Sequence, residues 1–363
     1  MPFKASTTGE MQIKNAAAWI LQEKSQLVVA AAPFPICGDD ELVIKNHAVA
    51  INPVDWKVQD SGGFSLSYPT ILGEDIAGEV REVGKNLRKT YNVGDRIIAN
   101  ALGFEHGATY GGFQLYPLVS PATASVIPDD LAWNDAVVLP LSISTAAAGL
   151  YQKATLNLSY PKLKEEERID YGFEFTGKRK KQQWLLLWGG SSSVGSSVIQ
   201  LARASGYHVL TTASPANYSY AKDLGADLVL DYHNPDVVKI AIGLLKDEKV
   251  VGAYDAIGTD ATVKQSAAVL SALGGGLIAS VVAAPDDLPK GVEVKRIGSS
   301  NIVSKEPEVA KKVWVEFLPK ALAEGTFRAA PKPLVVGKGL NNVQKALDRQ
   351  KEGVSARKVV VEL

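Results

Sequence analysis

An apolar run that ends in a glycine- and serine-rich turn constrains this chain more than any other feature. Residues 184–195 read Trp-Leu-Leu-Leu-Trp-Gly-Gly-Ser-Ser-Ser-Val-Gly, which predicts a buried strand, a tight turn and the first turn of a helix. Such a helix end presents free N–H groups and a positive dipole to an anion. An ordinary turn of an α/β protein is the alternative. The phosphate-binding interpretation assigns this corner to Gly190, Ser191, Ser192, Ser193 and Val194.

The pattern of the chain changes on either side of this turn. Short β-runs punctuated by glycines fill residues 15–128, which predicts a partly open β-barrel, whereas strands alternate with helices over 183–302. That alternation is typical of a doubly wound parallel sheet. A last β-run at 357–362 is expected to return to the first domain. We therefore expect an α/β protein with a barrel domain of residues 1–138 and 310–363 and a cofactor domain of residues 139–309.

A charged insertion at residues 157–182 interrupts the second domain. It contains an acidic run at 165–167 and a basic run at 178–181. Charged runs of this kind predict a solvated loop. A docking surface for a partner is the alternative.

Composition excludes several classes of protein. The formal net charge of the 363 residues is zero, which argues against a nucleic-acid binder. No apolar run is long enough to span a membrane, and residues 1–15 lack the apolar core of a leader peptide, so we expect a cytoplasmic protein. The single cysteine, Cys37, excludes an intrachain disulfide and a cysteine-built zinc site.

Several motifs, in order, carry a resemblance to a known family. They are Ala-Ile-Asn-Pro-Val-Asp at 50–55, Leu-Gly-Glu-Asp-Ile-Ala-Gly at 72–78, Val-Gly-Asp-Arg at 93–96, Gly-Gly-Phe at 111–113, the turn at 189–195, and Leu-Gly-Ala-Asp at 224–227 ahead of Asp231-Tyr232. With these, the chain resembles the medium-chain dehydrogenase/reductase superfamily over nearly its whole length. Within it, the chain is most similar to the zinc-free quinone oxidoreductase branch, especially the fungal trans-acting enoyl reductases that work beside polyketide synthases. The resemblance implies a GroES-like catalytic domain and a Rossmann cofactor domain.

The chain departs from the zinc-dependent relatives at their ligand positions. Asn52 stands where those enzymes carry a cysteine, and Glu74 stands where they carry a histidine. The four histidines, His47, His106, His208 and His233, show no paired spacing. We therefore expect no catalytic metal.

The segment after the second strand of the cofactor domain bears on the choice of nucleotide. An enzyme that prefers NAD places an acid there for the ribose 2′-hydroxyl, but this chain has Ser214, Asn217 and Tyr218, which can donate to a 2′-phosphate, with Lys222 nearby. Helix capping by Ser214 and Asn217 is the alternative. The resemblance also implies NADPH and assigns Tyr232 to the cofactor site.

Without a Lewis acid, hydride delivery to an already activated carbon is the compatible chemistry. Asn52 and Lys57 are candidates for binding the substrate carbonyl or the cofactor, with Asp55 orienting Lys57; a surface pair on a strand is the alternative for Asp55 and Lys57. The resemblance places Thr145 at the nicotinamide and Lys358 near the cofactor. For Thr145 the alternative is a hydroxyl that donates to a carbonyl of its own helix. For Lys358 it is an exposed lysine on an edge strand.

Three functions remain open at this stage. The leading one is NADPH-dependent reduction of a C=C bond conjugated to a carbonyl, in a small molecule or a carrier-bound polyketide intermediate. Quinone reduction is the second, and a non-catalytic nucleotide-binding protein is the third. The sequence does not distinguish a monomer from a homodimer. Residues 291–297 could form an exposed edge strand that pairs across a dimer, or their alternating charges could protect the edge strand of a monomer.

Overall fold

The computed structural model describes residues 14–62, 66–163 and 181–363. Its strands in chain order, β1 to β16, are Asn15–Ile20, Leu27–Ala32, Leu42–Ala50, Thr70–Ile71, Asp75–Val83, Arg96–Asn100, Leu118–Val119, Ala124–Val126, Gln183–Trp188, His208–Ala213, Leu228–Asp231, Lys249–Asp255, Gly276–Ser280, Val292–Arg296, Lys332–Lys338 and Arg357–Glu362. Its α-helices, α1 to α12, are Pro53–Ser61, Gly103–His106, Trp133–Ala136, Pro140–Tyr151, Ser193–Ala204, Tyr218–Asp223, Val237–Leu245, Asp260–Ala272, Asn301–Ser304, Pro307–Ala310, Leu318–Ala323 and Val343–Lys351, with a π-helical segment at Lys311–Phe317.

The second half of the chain builds a six-stranded parallel sheet, here called the parallel-sheet unit. Its strand order is β11-β10-β9-β12-β13-β14, so the chain starts in the middle and winds outward in both directions. This is the order of a Rossmann sheet, and it confirms the doubly wound prediction. The central strand β9 is buried from Trp184 to Trp188, as expected of a strand covered on both faces.

The first half and the C-terminal end build two further sheets, here called the barrel unit. One has the order β15-β16-β3-β5-β6-β8, with β7 paired to β3, and the other has the order β2-β1-β4. Neither sheet closes on itself, which agrees with the predicted partly open barrel. Strand β16 pairs with β3, so the last strand returns to the fold of the first hundred residues.

Helix α4 joins the two units through a shared core. Its buried face, which includes Ile143, Ala147 and Leu150, lies in one apolar cluster with residues of β3, β5 and β6 and with residues of β9 and α5. The fully buried Trp314 packs into the same cluster and donates its indole N–H to Ser144 at 3.2 Å. The two units are therefore packed on one helix and not merely tethered.

Some local expectations differ from the structure. The apolar residues 133–152 form two helices and not one: α3 ends at Ala136, and Pro140 is the first residue of α4. Residues 53–61 form a helix and not a strand, so the strand-pair alternative for Asp55 and Lys57 is wrong. The domain boundaries stay a prediction, and both charged runs of the 157–182 insertion lie outside the described residues.

The described part of the chain contains no helix with the length and apolar character needed to cross a bilayer.

Close packing between β3 and β5 yields a testable prediction. Gly78 of β5 pairs with Asn46 of β3, and a Cβ at Gly78 would lie 2.2 Å from the carbonyl oxygen of Lys45. We expect Gly78→Ala to lower the free energy of unfolding by about 1–3 kcal/mol, because the strands must separate. Gly243→Ala in α7 is the matched control, since nothing lies within 4 Å of its added methyl group. Equal denaturant midpoints for the two variants would contradict this account.

Candidate active site

The turn after β9 has the geometry of an anion-binding helix end. Ser192 caps α5: its side-chain oxygen accepts a hydrogen bond from the N–H of Gly195 at 3.0 Å. Ser191, Ser192, Ser193 and Val194 are all half-buried around the first turn. The N-terminal N–H groups of a 12-residue helix therefore lie beside an accessible polar surface.

Two glycines of this turn leave no room for a side chain. A Cβ at Gly190 would lie 2.4 Å from the hydroxyl of Thr211, and a Cβ at Gly195 would lie 2.1 Å from the carbonyl oxygen of Gly189. Gly189 itself has φ of +90°, a left-handed conformation that favours glycine. The glycines thus allow strand and helix to approach closely.

A cluster of hydroxyl groups lies at the end of β10. The side-chain amide nitrogen of Asn217 is 3.2 Å from the hydroxyl oxygen of Ser214, 3.5 Å from that of Ser191 and 3.1 Å from that of Ser355. Here these four residues are called the hydroxyl cluster. Ser355 comes from the segment before β16, so the cluster joins the two units.

Tyr218 follows Asn217 in the chain, and the carboxylate of Asp231 is close enough to influence its phenol. Burial and the nearby Asp231 raise the pKa of the Tyr218 phenol. The Asp231 carboxylate accepts hydrogen bonds from the backbone and the ring of His233, and these contacts lower its pKa. Tyr232 is 46% exposed and packs its ring against that of His233. This ring contact, within the described residues, is with a residue outside the hydroxyl cluster.

A buried ion pair lies at Asn52, the residue that, by the resemblance, replaces a zinc ligand of the zinc-dependent enzymes. Lys358 Nζ is 2.7 Å from Asp75 Oδ2 and 2.5 Å from Asn52 Oδ1, and the Asn52 amide donates to Asp75 Oδ2 at 2.7 Å. The other Asp75 oxygen accepts the backbone N–H of Leu141, in the first turn of α4, at 2.5 Å. All three side chains are less than 5% exposed, so this Asn52–Asp75–Lys358 network is rigidly placed.

Two more buried carboxyls flank the network. Asp55 accepts the backbone N–H of Asn52 at 2.7 Å, and its second oxygen is buried with no partner among the described residues. Burial, with repulsion from Asp75, raises the pKa of Asp55 to about 7. Burial, with repulsion from Glu105 and Asp55, raises the pKa of Glu74 well above its usual range. Both carboxyls therefore hold their protons to a higher pH than an exposed carboxyl does.

These residues do not fit a catalytic zinc ion. Zinc needs three or four converging ligands, chiefly thiolate or imidazole. Within the three described ranges, no group of three His, Cys, Asp or Glu side chains is arranged to hold a metal. The cationic side chain of Lys358 already lies at Asn52 and Asp75, where it would repel a second cation.

The structure separates the remaining predicted residues. Lys57 is exposed on α1, with Nζ 5.7 Å from the ring centroid of Trp56. Asp55 is buried, and residues two apart on a helix face different sides, so the prediction that Asp55 orients Lys57 does not match this geometry. The Thr145 hydroxyl donates to the carbonyl of Leu141 at 2.7 Å within α4. Its oxygen can still accept a hydrogen bond.

Lys358 also differs from the alternative of an exposed edge lysine, because it is 3% exposed and β16 is flanked by β15 and β3.

The thiol of Cys37 has a pKa that is raised by burial and by Glu82 and Glu41. This shift is opposite to the activation that a nucleophile needs.

Sequence reasoning did not select Asp75, Asn100 or Ser355. Asp75 is the last residue of the Gly-Glu-Asp motif. Only the middle residue, Glu74, was considered, as the position of a lost zinc ligand. Asn100, at the end of β6, donates to Glu74 at 3.0 Å. Ser355 carries no motif, and no sequence signal would have placed it beside Asn217.

Two family models match the chain: "Alcohol dehydrogenase GroES-like domain" at residues 38–129 and "Zinc-binding dehydrogenase" at residues 193–318. The "Zinc-binding alcohol dehydrogenase domain-containing protein cipB" of Emericella nidulans is 39% identical over 97% of this chain and 99% of its own. The chain belongs to the medium-chain dehydrogenase/reductase superfamily.

Two further similarities place the chain within that superfamily. The "Trans-enoyl reductase himH" of Aspergillus japonicus is 38% identical over 96% of this chain and 97% of its own. The solved structure of an alcohol dehydrogenase superfamily protein from Novosphingobium aromaticivorans covers 96% of this chain and 99% of its own with a TM-score of 0.76 at 20% identity. The fold and the resemblance to fungal trans-acting enoyl reductases are thereby confirmed, and the protein is an oxidoreductase.

The protonated Asp55 yields a prediction for the stability of this superfamily member. The folded chain keeps the proton up to about pH 7, whereas the unfolded chain releases it near 3.8. The free energy of unfolding should therefore fall as pH rises from 4 to 7, by at most about 1.4 kcal/mol per pH unit from this group. In Asp55→Asn that contribution should vanish in urea titrations across this range.

Asp60→Asn, on an exposed residue of the same helix, is the matched control and should retain the parental pH dependence. If Asp55→Asn and the parent keep a constant difference in stability from pH 4 to 7, Asp55 is not the group that holds the proton.

Proposed function

We propose that this protein is an NADPH-dependent reductase of a carbon–carbon double bond conjugated to a carbonyl, in an enone or an enoyl thioester. The substrate includes, in this proposal, an acyl chain carried by a polyketide synthase. The relative named as a trans-enoyl reductase supports the enoyl substrate. The observation that carries the chemistry is the buried network of Asn52, Asp75 and Lys358, which puts an ammonium group where related enzymes use zinc.

The residues around the glycine turn fit a dinucleotide. The N-terminus of α5 is capped by Ser192 and suits a pyrophosphate. The hydroxyl cluster has donors and no carboxylate among its four members, which suits a 2′-phosphate and supports NADPH over NADH. When bound, NADPH supplies the hydride for the reduction.

Lys358 provides the charge that such a reaction requires. An ammonium has three N–H donors, and the described contacts use two of them, on Asn52 and Asp75. In this proposal the third donates to the carbonyl oxygen of the substrate, on which negative charge develops, or to a hydroxyl of the cofactor. Asp75 holds the amine in place, and preorganised donors of this kind stabilise a transition state strongly. This proposal needs no metal, and water can deliver the final proton.

Thr145 and Lys57 take different parts in this proposal. The Thr145 hydroxyl, whose proton is bonded within α4, would accept a hydrogen bond from the nicotinamide carboxamide. Lys57 lies on the exposed face of α1, from which it could meet an anionic part of a carrier-bound substrate.

A panel of substrates tests the proposed function. We expect cofactor oxidation with enones or enoyl thioesters, and at least tenfold tighter binding of NADPH than of NADH in fluorescence titrations, since a hydrogen bond to a charged group is worth about 1.5–3 kcal/mol. Turnover of quinones alone would establish the second candidate, because reduction of a quinone needs the same hydride and the same donors. Cofactor binding without turnover of any panel member would indicate a non-catalytic protein.

A pair of lysine variants tests which cation acts at the reacting centre. We expect Lys358→Met to lower kcat about a hundredfold, equivalent to about 3 kcal/mol, and Lys57→Met to change kcat less and KM for a carrier-bound substrate more. Lys358→Met alone leaves Asp75 as an unpaired buried charge, which destabilises the fold. The double variant Asp75→Asn/Lys358→Met removes both charges and controls for that effect.

If the double variant folds and retains parental kcat, Lys358 has no part in the reaction. A hundredfold loss in Lys57→Met, with little change in Lys358→Met, would instead assign the reaction to Lys57.

A further inference from the structure

One sheet edge of the barrel unit is exposed and uncharged. Strand β2 ends the sheet β2-β1-β4, so one of its edges has no neighbouring strand among the described residues. The four central residues of β2 are all exposed, and no charged residue occurs from Leu27 to Cys37. Proteins commonly protect such an edge with lysine, proline or a bulge. β2 has none of these and pairs with β1 in register over its whole length.

Other sheet edges of the described chain are protected. β14 carries Lys295 and Arg296, and β15 begins with Lys332 and Pro333. β4, β8 and β11 have only two to four residues each, which is too short for a stable pairing with another strand. The edge of β2 is therefore the one in this comparison that is both long and unprotected.

Large apolar side chains are exposed on both faces of β2. Twelve such side chains are exposed in the described chain, and four of them, Leu21, Val28, Val29 and Ile36, lie in or next to this strand. Val28 and Val29 are successive residues of a strand, so they point to opposite faces. A concentration of exposed apolar groups marks an interaction surface.

The hydrogen bonds of β1 show which backbone groups of β2 face outward. Along an antiparallel pair, successive residues direct their N–H and C=O groups alternately toward and away from the partner strand. Ala16 and Ala18 of β1 bond to the segment at 113–115, on the side away from β2. Their partners in the ladder, Ala31 and Val29, therefore direct their own backbone groups away from β1.

Some of the outward groups already have partners within the chain. By the same alternation, the outward residues of β2 are Leu27, Val29 and Ala31. The N–H of Leu27 donates to Gln344 Oε1 at 2.9 Å, and the C=O of Ala31 accepts from the indole of Trp19 at 3.3 Å. In the part of the chain that the structure describes, the C=O of Leu27, both groups of Val29 and the N–H of Ala31 have no such partner.

These four free groups are symmetric about Val29. In an antiparallel pair of two copies centred there, the N–H of each Val29 would donate to the C=O of the other Val29. The N–H of each Ala31 would donate to the C=O of Leu27 in the other copy. The remaining two groups that would face each other, Leu27 N–H and Ala31 C=O, are the two that are already satisfied within the chain.

We propose that β2 pairs with β2 of a second copy of this chain, across a two-fold axis at Val29, and forms a homodimer with a continuous six-stranded sheet. A two-fold axis requires a self-complementary surface, and the free groups of β2 form one. A segment of another protein would need no such symmetry. Pairing of the two strands brings no like charges together. The Asn52–Asp75–Lys358 network has no part in this pairing, so the inference is independent of the proposed function.

Sedimentation equilibrium of the full chain tests the proposal over a range of about 1 to 200 μM. One strand pair makes a small interface, so we expect the parent to form a dimer that dissociates at micromolar concentrations. Val29→Lys should weaken association by at least about tenfold, because two ammonium groups would lie opposite each other at the axis. Val335→Lys is the matched control and should associate like the parent, since Val335 is 44% exposed on the edge strand β15.

Further variants separate loss of the interface from loss of the fold. Val29→Thr keeps a β-branched, uncharged side chain and should retain the dimer. Ala31→Pro removes an outward N–H but no hydrogen bond to β1, so it should weaken the dimer and leave the hairpin intact. Circular dichroism of each variant measures whether the fold is retained.

A cross-link identifies the pairing residue directly. In a Cys37→Ser background, Val29→Cys should form an inter-chain disulfide with oxidised glutathione, because the Cα atoms of a directly paired residue lie about 5.5 Å apart. Val335→Cys in the same background should not.

A parent that stays monomeric over the whole range would overturn the proposal in favour of a strand from another protein. A dimer that persists in both Val29→Lys and Ala31→Pro, and that Val29→Cys does not cross-link, would overturn it in favour of a different interface.

Discussion

The buried carboxylate of Asp75 is the group on which the arrangement of this site depends. It accepts hydrogen bonds from Lys358, from Asn52 and from the backbone of Leu141, and so connects β16, the residue before α1, β5 and α4. A buried ammonium without this partner would carry a large desolvation cost. The same carboxylate binds the positive end of α4, the helix that both units of the fold share. One side chain thus orders the Asn52–Asp75–Lys358 network and connects it to the interface between the units.

Among the described residues a single buried cation, Lys358, lies near three buried carboxyls, and this imbalance accounts for the raised pKa values of the two that it does not contact. Lys358 is paired with Asp75, so Asp55 and Glu74 have no positive partner at hydrogen-bond distance within the described chain. Burial then disfavours their ionised forms. The result is a buried ammonium beside two carboxyls whose pKa values are raised.

Local sequence patterns predicted much of the architecture and only part of the site. The strand-turn-helix at 184–195 has one physical solution, because consecutive glycines, capping serines and an apolar run each favour the same corner. Asn52 and Asp55 were predicted as candidates from a motif, and Lys358 was predicted near the cofactor from the resemblance to the family. The pairing of Lys57 with Asp55 failed because the segment is a helix, in which residues two apart diverge, and the proline at its first position agrees with that helix.

The sequence by itself determined the two-unit architecture and the strand-glycine-helix corner, because these follow from residue types at short spacing. Only the tertiary structure decided which polar groups meet. Lys358 and Asn52 are 306 positions apart, and Ser355 and Asn217 are 138 apart. Contacts over such separations arise from the return of β16 to β3 and from packing on α4, and a side chain becomes buried, charged or protonated only when those elements close around it.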